Sequence, residues 1–168
     1  MRGEEDIGTW KSISSTRPAF YRDLGLPSLR ELLDKHPASK INRLVFYPGW
    51  ARQFAVTVVV DSQGKASAQL EALSETQPDV VFRIQMSPGW QRNHVIETIA
   101  LCEKSLPWKS NTADQVGDDQ GCILFEHYDS KQQGYVIKIH VAEDLKEAIR
   151  EIASIVDAAT EMEKNQGK

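Results

Sequence analysis

The segment 54–60, Phe-Ala-Val-Thr-Val-Val-Val, has a composition typical of a β-strand. It holds four valines, a threonine and a phenylalanine, and it contains no glycine or proline. β-Branched and aromatic residues suit a pleated surface better than a helix. Apolar residues occupy both odd and even positions, so neither face of this strand is strongly polar. This pattern favours a central strand that is at least partly covered on both faces.

Alternating apolar residues predict further strands on either side of this one. The predicted strands cover 41–47, 53–61, 65–73 and 79–86, and then 122–125 and 135–141. Short connections predict that the first four pair as an antiparallel meander and that the last two form a second hairpin. The loop Asp61-Ser-Gln-Gly64 predicts a hairpin turn with Gly64 in a left-handed conformation.

Three amphipathic stretches predict helices. The first is Pro27 to His36, with Ser28 and Glu31 spaced as a capping box. The second follows Ser87-Pro88 and ends before Pro107. The third carries a wide apolar stripe at alternating spacings of four and three, formed by Leu145, Ile149, Ile152, Val156 and Ala159. Its width favours a helix lying on the sheet, and the alternative is that Leu145, Ile149, Ile152 and Val156 form an interface with a partner helix or a second copy.

This order of elements predicts an α+β fold. We expect a mostly antiparallel sheet of about six strands, with helices packed on one face and the C-terminal amphipathic helix docked across it. A chain of 168 residues fits one domain and buries about 70% of its unfolded surface without a metal or disulfide. We expect that domain to cover 16–164, preceded by a loosely ordered segment 1–15 and followed by a disordered tail 165–168.

Composition and charge narrow the classes of partner. The net charge is −4, and no strong basic patch of the kind that nucleic-acid binders use is evident. No apolar run approaches the roughly 20 residues that span a bilayer, and the polar N-terminus is unlike a secretory signal. Cys102 and Cys122 lie in apolar contexts without metal-like or redox-like neighbours. They predict buried free thiols and a cytoplasmic location.

A near-repeat, Pro-Gly-Trp-x-Arg, follows two of the predicted strands. It places Trp50 with Arg52 and Trp90 with Arg92. Tryptophan and arginine are enriched at binding hot spots, so these four residues are candidate binding residues at one end of the sheet. The alternative is two unrelated turns whose tryptophans cover sheet edges, and the different structures predicted after each copy favour that alternative.

The second hairpin carries a group of polar candidates, Glu126, His127 and His140. They could line a pocket between the sheet and the C-terminal helix, although surface imidazoles on a half-exposed hairpin explain them more simply. No ligand spacing for a metal is recognisable, and no P-loop, nucleophile elbow or His-Glu-x-x-His motif occurs. The sequence therefore predicts no metal or cofactor, and it favours a protein that is not an enzyme.

The predicted order of helix, four strands, helix, two strands and helix resembles small acidic, dimeric secretion chaperones. The final hairpin and helix, over about 122–164, also resemble the end of a PH- or PTB-like domain. The first resemblance implies a dimeric, chaperone-like adaptor. We therefore expect a non-catalytic protein-binding or regulatory module whose partner is another protein or a second copy. The alternative is a small-molecule-binding or enzymatic domain with its pocket between the sheet and the C-terminal helix.

Overall fold

A computed structural model of the chain describes residues 24–27, 29–35, 40–47, 53–74, 76–77, 79–104, 122–130, 134–138 and 143–166. Within these ranges the strands are β1 (Lys40–Tyr47), β2 (Phe54–Val60), β3 (Ala66–Leu73), β4 (Val81–Gln85), β5 (Cys122–Asp129) and β6 (Gly134–Lys138). The helices are α1 (Leu29–Lys35), α2 (Trp90–Lys104) and α3 (Glu143–Gln166). The expected α+β class with an antiparallel sheet is confirmed.

The described strands form one sheet in the order β4-β3-β2-β1-β5-β6, and every neighbouring pair is antiparallel. The first four strands form the meander that their short connections predicted. β5 returns to the free side of β1, so β1 is hydrogen-bonded to both halves of the sheet. β2 lies in the interior, and both of its faces are buried from Phe54 to Val58.

The turn between β2 and β3 follows directly from its sequence. Oδ1 of Asp61 accepts hydrogen bonds from the backbone N–H groups of Gln63 and Lys65, each at 2.9 Å. Gly64 has a φ of 83°, a left-handed conformation that glycine adopts without steric cost. The predicted conformation of Gly64 is therefore confirmed.

The main hydrophobic core lies between one face of the sheet and the helices α2 and α3. Alternate residues of the strands point into it, among them Leu44 from β1, Val56 from β2 and Leu70 from β3. The helices contribute a stripe of buried side chains: Val95, Ile99 and Cys102 from α2, and Ile149, Ile152, Ile155 and Val156 from α3. The apolar stripe of α3 thus packs within the chain, as its width favoured.

The opposite face of the sheet, which we call the polar face, is covered differently. The segment Leu24–Pro27 and helix α1 lie against the polar face. Arg43 and Arg83 of this face donate hydrogen bonds to backbone carbonyl groups of that segment. The prediction that all helices pack on one face is therefore correct for α2 and α3 but not for α1. α3 ends at Gln166, and the expected domain boundaries at 16 and 164 stay a prediction.

Candidate functional site

Trp90 and Arg92, in the first turn of α2, have opposite environments. The Trp90 side chain is 72% exposed. Arg92 instead turns toward the sheet, where Nη2 donates to the carbonyl oxygen of Ala66 and Nε is buried without a hydrogen-bond partner among the described residues. Arg92 therefore attaches α2 to β3. Trp50 and Arg52 lie outside the described residues, so the proposed pairing of the two Trp-Arg copies stays a prediction.

The candidate interface residues of α3 lie against the sheet. Ile149, Ile152 and Val156 are at most 2% exposed and belong to the main core. The side chain of Leu145 lies outside the part that is described. An interface through the three buried residues would require α3 to move away from the sheet, and that role stays a prediction.

Glu126 and His127 are not brought together, because consecutive residues of a strand point to opposite faces. Glu126 points to the polar face and pairs with Arg43. His127 points to the helix-covered face, where Nδ1 lies 2.5 Å from Oδ1 of Asn42. His140 lies outside the described residues. Core side chains lie between α3 and the sheet, and the pocket that the alternative hypothesis places there stays a prediction.

His127 belongs to a polar network that joins the end of α2 to β1. Nδ2 of Asn42 donates to Glu103 at 3.0 Å, and Nζ of Lys40 lies 2.6 Å from the same carboxylate. Burial lowers the pKa of His127, although the nearby Glu103 carboxylate acts in the opposite direction. The neutral imidazole and the Lys40–Glu103 ion pair therefore form a structural connection between helix and sheet. Within the described residues no three metal-ligating side chains converge.

The polar face carries a continuous row of polar side chains across five strands. The residues of this row are successive cross-strand partners from β5 to β4: Glu126, Arg43, Thr57, Gln69 and Gln85. Glu71 and Arg83 are partners in the next row. Glu126, Arg43 and Thr57 of this row are buried, where a polar group must find a hydrogen-bond partner, whereas Gln69 is half-buried and Gln85 is exposed.

The part of this row from Arg43 to Gln85, together with Glu71 and Arg83, forms the floor of a cleft of about 570 Å³ on the polar face. The segment before α1 and α1 itself form one wall, with Gly25, Pro27 and Leu32. The turn after β2 contributes Asp61. The remaining lining residues, from β1 to β4, are Arg43, Thr57, Val59, Ser67, Gln69, Glu71, Arg83 and Gln85.

Arg43 is fixed by an ion pair and a backbone contact. Its side chain and that of Glu126 are both 0% exposed, and Nε lies 2.7 Å from Oε2 of Glu126. Nη1 donates to the carbonyl oxygen of Pro27 at 2.7 Å. Burial lowers the pKa of Arg43 to about 10, and the carboxylates of Glu71 and Glu31 oppose that change. Arg43 therefore remains charged at neutral pH and holds the Pro27 segment against the sheet.

Glu71 lines the cleft and has an unsatisfied side-chain oxygen. The residue is 5% exposed, and Oε2 is buried without a hydrogen-bond partner among the described residues. Burial raises the pKa of Glu71, and the nearby guanidinium groups of Arg43 and Arg83 only partly counteract this. A buried carboxylate oxygen without a donor is costly, so its retention needs a reason beyond packing.

Arg83 is the cross-strand partner of Glu71 but is directed elsewhere. Its Nη2 donates to the carbonyl oxygen of Leu24 at 3.4 Å. The same nitrogen occupies the space where a side chain on residue 25 would begin, and Gly25 has a φ of 60°. A side chain on residue 25 would displace the end of the flexible Arg83 side chain and would have to adopt a left-handed φ, so glycine suits this turn, which shapes this end of the cleft together with Arg83.

Comparison with family models, curated proteins and solved structures finds no match. The site must therefore be interpreted from its own chemistry. None of the helices in the described ranges combines the length and low charge that crossing a bilayer requires.

Our sequence interpretation missed the cleft, although part of the signal was visible. Glu71 and Arg83 each occupy a strand position between apolar neighbours, and Arg43 lies between Asn42 and Leu44. Charged residues are seldom buried unless they are paired, so a charge within an apolar strand suggests a partner on a neighbouring strand. The partner itself depends on the strand order and register, which one sequence does not reveal.

Proposed function

We propose that the protein is a binding module that holds a small polar ligand in the cleft of the polar face. The observation that carries this proposal is the buried carboxylate oxygen of Glu71, which lines the cleft and has no hydrogen-bond partner among the described residues. A ligand with an N–H or O–H donor would complete it. Leaving such a group unsatisfied costs about 1–3 kcal/mol, which a bound ligand would recover.

The size and rigidity of the cleft support the same proposal. Its volume of about 570 Å³ falls within the range of roughly 300–1,000 Å³ that small-molecule pockets occupy. Gln69, Gln85 and Ser67 add groups that can both donate and accept hydrogen bonds. Arg43 is held from two directions, so the floor of the cleft is ordered before a ligand arrives. Preorganisation of this kind increases affinity.

Native mass spectrometry of the protein, purified gently from its own source cells, tests the proposal. We expect a small-molecule adduct on the wild-type protein. Gln69→Trp fills the cleft and should remove the adduct, whereas Gln63→Trp places the same side chain on the exposed β2–β3 turn and should leave it in place. A bare protein, or an adduct that survives in Gln69→Trp, would contradict the proposal.

A second candidate function is the protein-binding or regulatory module that we expected from the sequence, such as a dimeric chaperone-like adaptor. One observation favours it, the 72% exposure of Trp90. An exposed tryptophan offers a large amphipathic surface of the kind that anchors protein interfaces. Its partner would be another polypeptide or a second copy of the chain.

Trp90→Ala separates this candidate from the first. The variant should lose a copurifying polypeptide, or the homodimer, while its circular dichroism spectrum stays that of the wild type. Met162→Ala is a matched control, because Met162 is a large apolar residue with 59% exposure on another helix. Equal loss of the partner in both variants, or in neither, would argue against a role for Trp90.

A further inference from the structure

We infer that the ligand of the cleft carries a protonated nitrogen, an ammonium or guanidinium group, which the carboxylate of Glu71 binds. This inference rests on the proposed function of the cleft and names the chemistry of its ligand. The site is not a surface cluster, because Glu71 is 5% exposed and its buried Oε2 has no donor among the described residues. A charged N–H donor forms the strongest hydrogen bond available to a carboxylate.

The charges around the cleft favour a cation over an anion. The carboxylates of Asp61 and Glu71 line it, Glu126 lies beside Arg43, and Glu31 is close enough to influence Arg43. The only guanidinium groups among the lining residues described are those of Arg43 and Arg83. Arg43 is paired with Glu126, so the other charged lining groups described are the carboxylates of Asp61 and Glu71 and the guanidinium group of Arg83, and an added positive charge would reduce this negative excess.

The guanidinium groups near Glu71 hydrogen-bond to other atoms than its Oε2. Arg43 directs Nε to Glu126 and Nη1 to the carbonyl of Pro27. Arg83, although it is the cross-strand partner of Glu71, directs Nη2 to the carbonyl of Leu24. Neither arginine bonds to Oε2 of Glu71. The Glu71 carboxylate thus lies near two guanidinium groups that hydrogen-bond elsewhere, and a cationic ligand would supply the donor that Oε2 lacks among the described residues.

Four probes with the same carbon chain test this inference: butylguanidinium, butylammonium, butyramide and butyrate. Each is titrated at millimolar concentration into ¹⁵N-labelled full-length protein, and binding is followed at the backbone amides of Thr57, Gln69 and Gln85. The two cations should shift these amides. Glu71→Gln keeps the shape but removes the charge, and it should weaken cation binding about tenfold or more, the effect of one charge-assisted hydrogen bond.

Glu97→Gln is the control. Glu97 is exposed on α2, so this substitution makes the same chemical change outside the cleft. It should bind the cations as the wild type does. The inference would be overturned if butyrate shifted the cleft amides more than the cations do. It would also be overturned if Glu71→Gln and the wild type bound the cations equally. Either result leaves the proposed function intact if the native adduct is still lost in Gln69→Trp. Failure of all four probes overturns the inference, and absence of the adduct separately overturns the proposed function.

Discussion

Replacing Arg43 by methionine tests the buried ion pair beneath the cleft. Both charged side chains are 0% exposed, and Nε of Arg43 lies 2.7 Å from Oε2 of Glu126. Methionine has a similar length but no charge, so the carboxylate of Glu126 would lose its guanidinium partner inside the protein. Removing one partner of a buried pair costs about 3–5 kcal/mol. The lost hydrogen bond to the carbonyl of Pro27 adds about 1 kcal/mol.

The expected loss is a large fraction of the total stability, which for such domains is about 5–15 kcal/mol. The double variant Arg43→Met/Glu126→Leu removes both charges and fills their space with apolar atoms. It should recover most of the loss, because buried pairs are often replaced by apolar residues at little cost. The two substitutions should therefore be strongly non-additive.

Urea unfolding at pH 7 measures these free energies. The loss should change little between low and high salt, because salt screens buried charges weakly. His94→Ala serves as a comparison, since its 2.7 Å contact with Glu151 is largely exposed and should contribute less than about 1 kcal/mol. If the double variant is as unstable as Arg43→Met, or if Arg43→Met costs no more than His94→Ala, the reasoning about this ion pair is refuted.

Three further predictions concern the cleft and the core. Glu71→Gln should raise the free energy of unfolding at pH 7. Burial raises the pKa of Glu71 in the folded protein above its ordinary value of 4.5, so the stability falls as the pH rises from 4.5 through the folded-state pKa. Urea titrations from pH 4 to 8 should show this fall only in the wild type. Gly25→Ala should destabilise the protein more than Gly64→Ala does in the same assay, because both residues have a positive φ but only Gly25 faces Arg83. Equal losses of the free energy of unfolding would contradict that contact. Cys102 should resist iodoacetamide in the folded protein and react after unfolding, since burial raises the pKa of its thiol to about 12. Peptide mass spectrometry measures this labelling. Rapid labelling of Cys102 in the native protein would be evidence against its burial.

The strand pattern was readable from sequence because it depends on local chemistry. The composition of segment 54–60 correctly indicated an interior strand, and Gly64 has the predicted left-handed conformation. Our grouping of Glu126 with His127 failed for a reason that sequence alone supplies, since neighbours along a strand face opposite sides. The pairing of Glu126 with Arg43 could not be predicted from the sequence, because it requires β5 to pair with β1 rather than with another strand.

The cleft also depends on contacts that no local pattern reveals. Arg83 reaches the carbonyl of Leu24, 59 residues earlier in the chain, and thereby turns away from its cross-strand partner Glu71. A sequence shows the two opposite charges but not that Arg83 hydrogen-bonds to the carbonyl of Leu24. The helix assignment of α1 was correct in position, yet its face of the sheet was not predictable, because its short apolar stripe fits either side.

The placement of β5 beside β1 has a consequence for the order of folding. The meander from β1 to β4 joins neighbours in sequence, whereas Arg43 meets Glu126 across 83 residues. Contacts between distant parts of a chain close late, because the entropy of loop closure must be overcome first. Arg43 should remain hydrated in the folding transition state and lose its water only when the second hairpin docks. Its substitution should therefore accelerate unfolding far more than it slows folding.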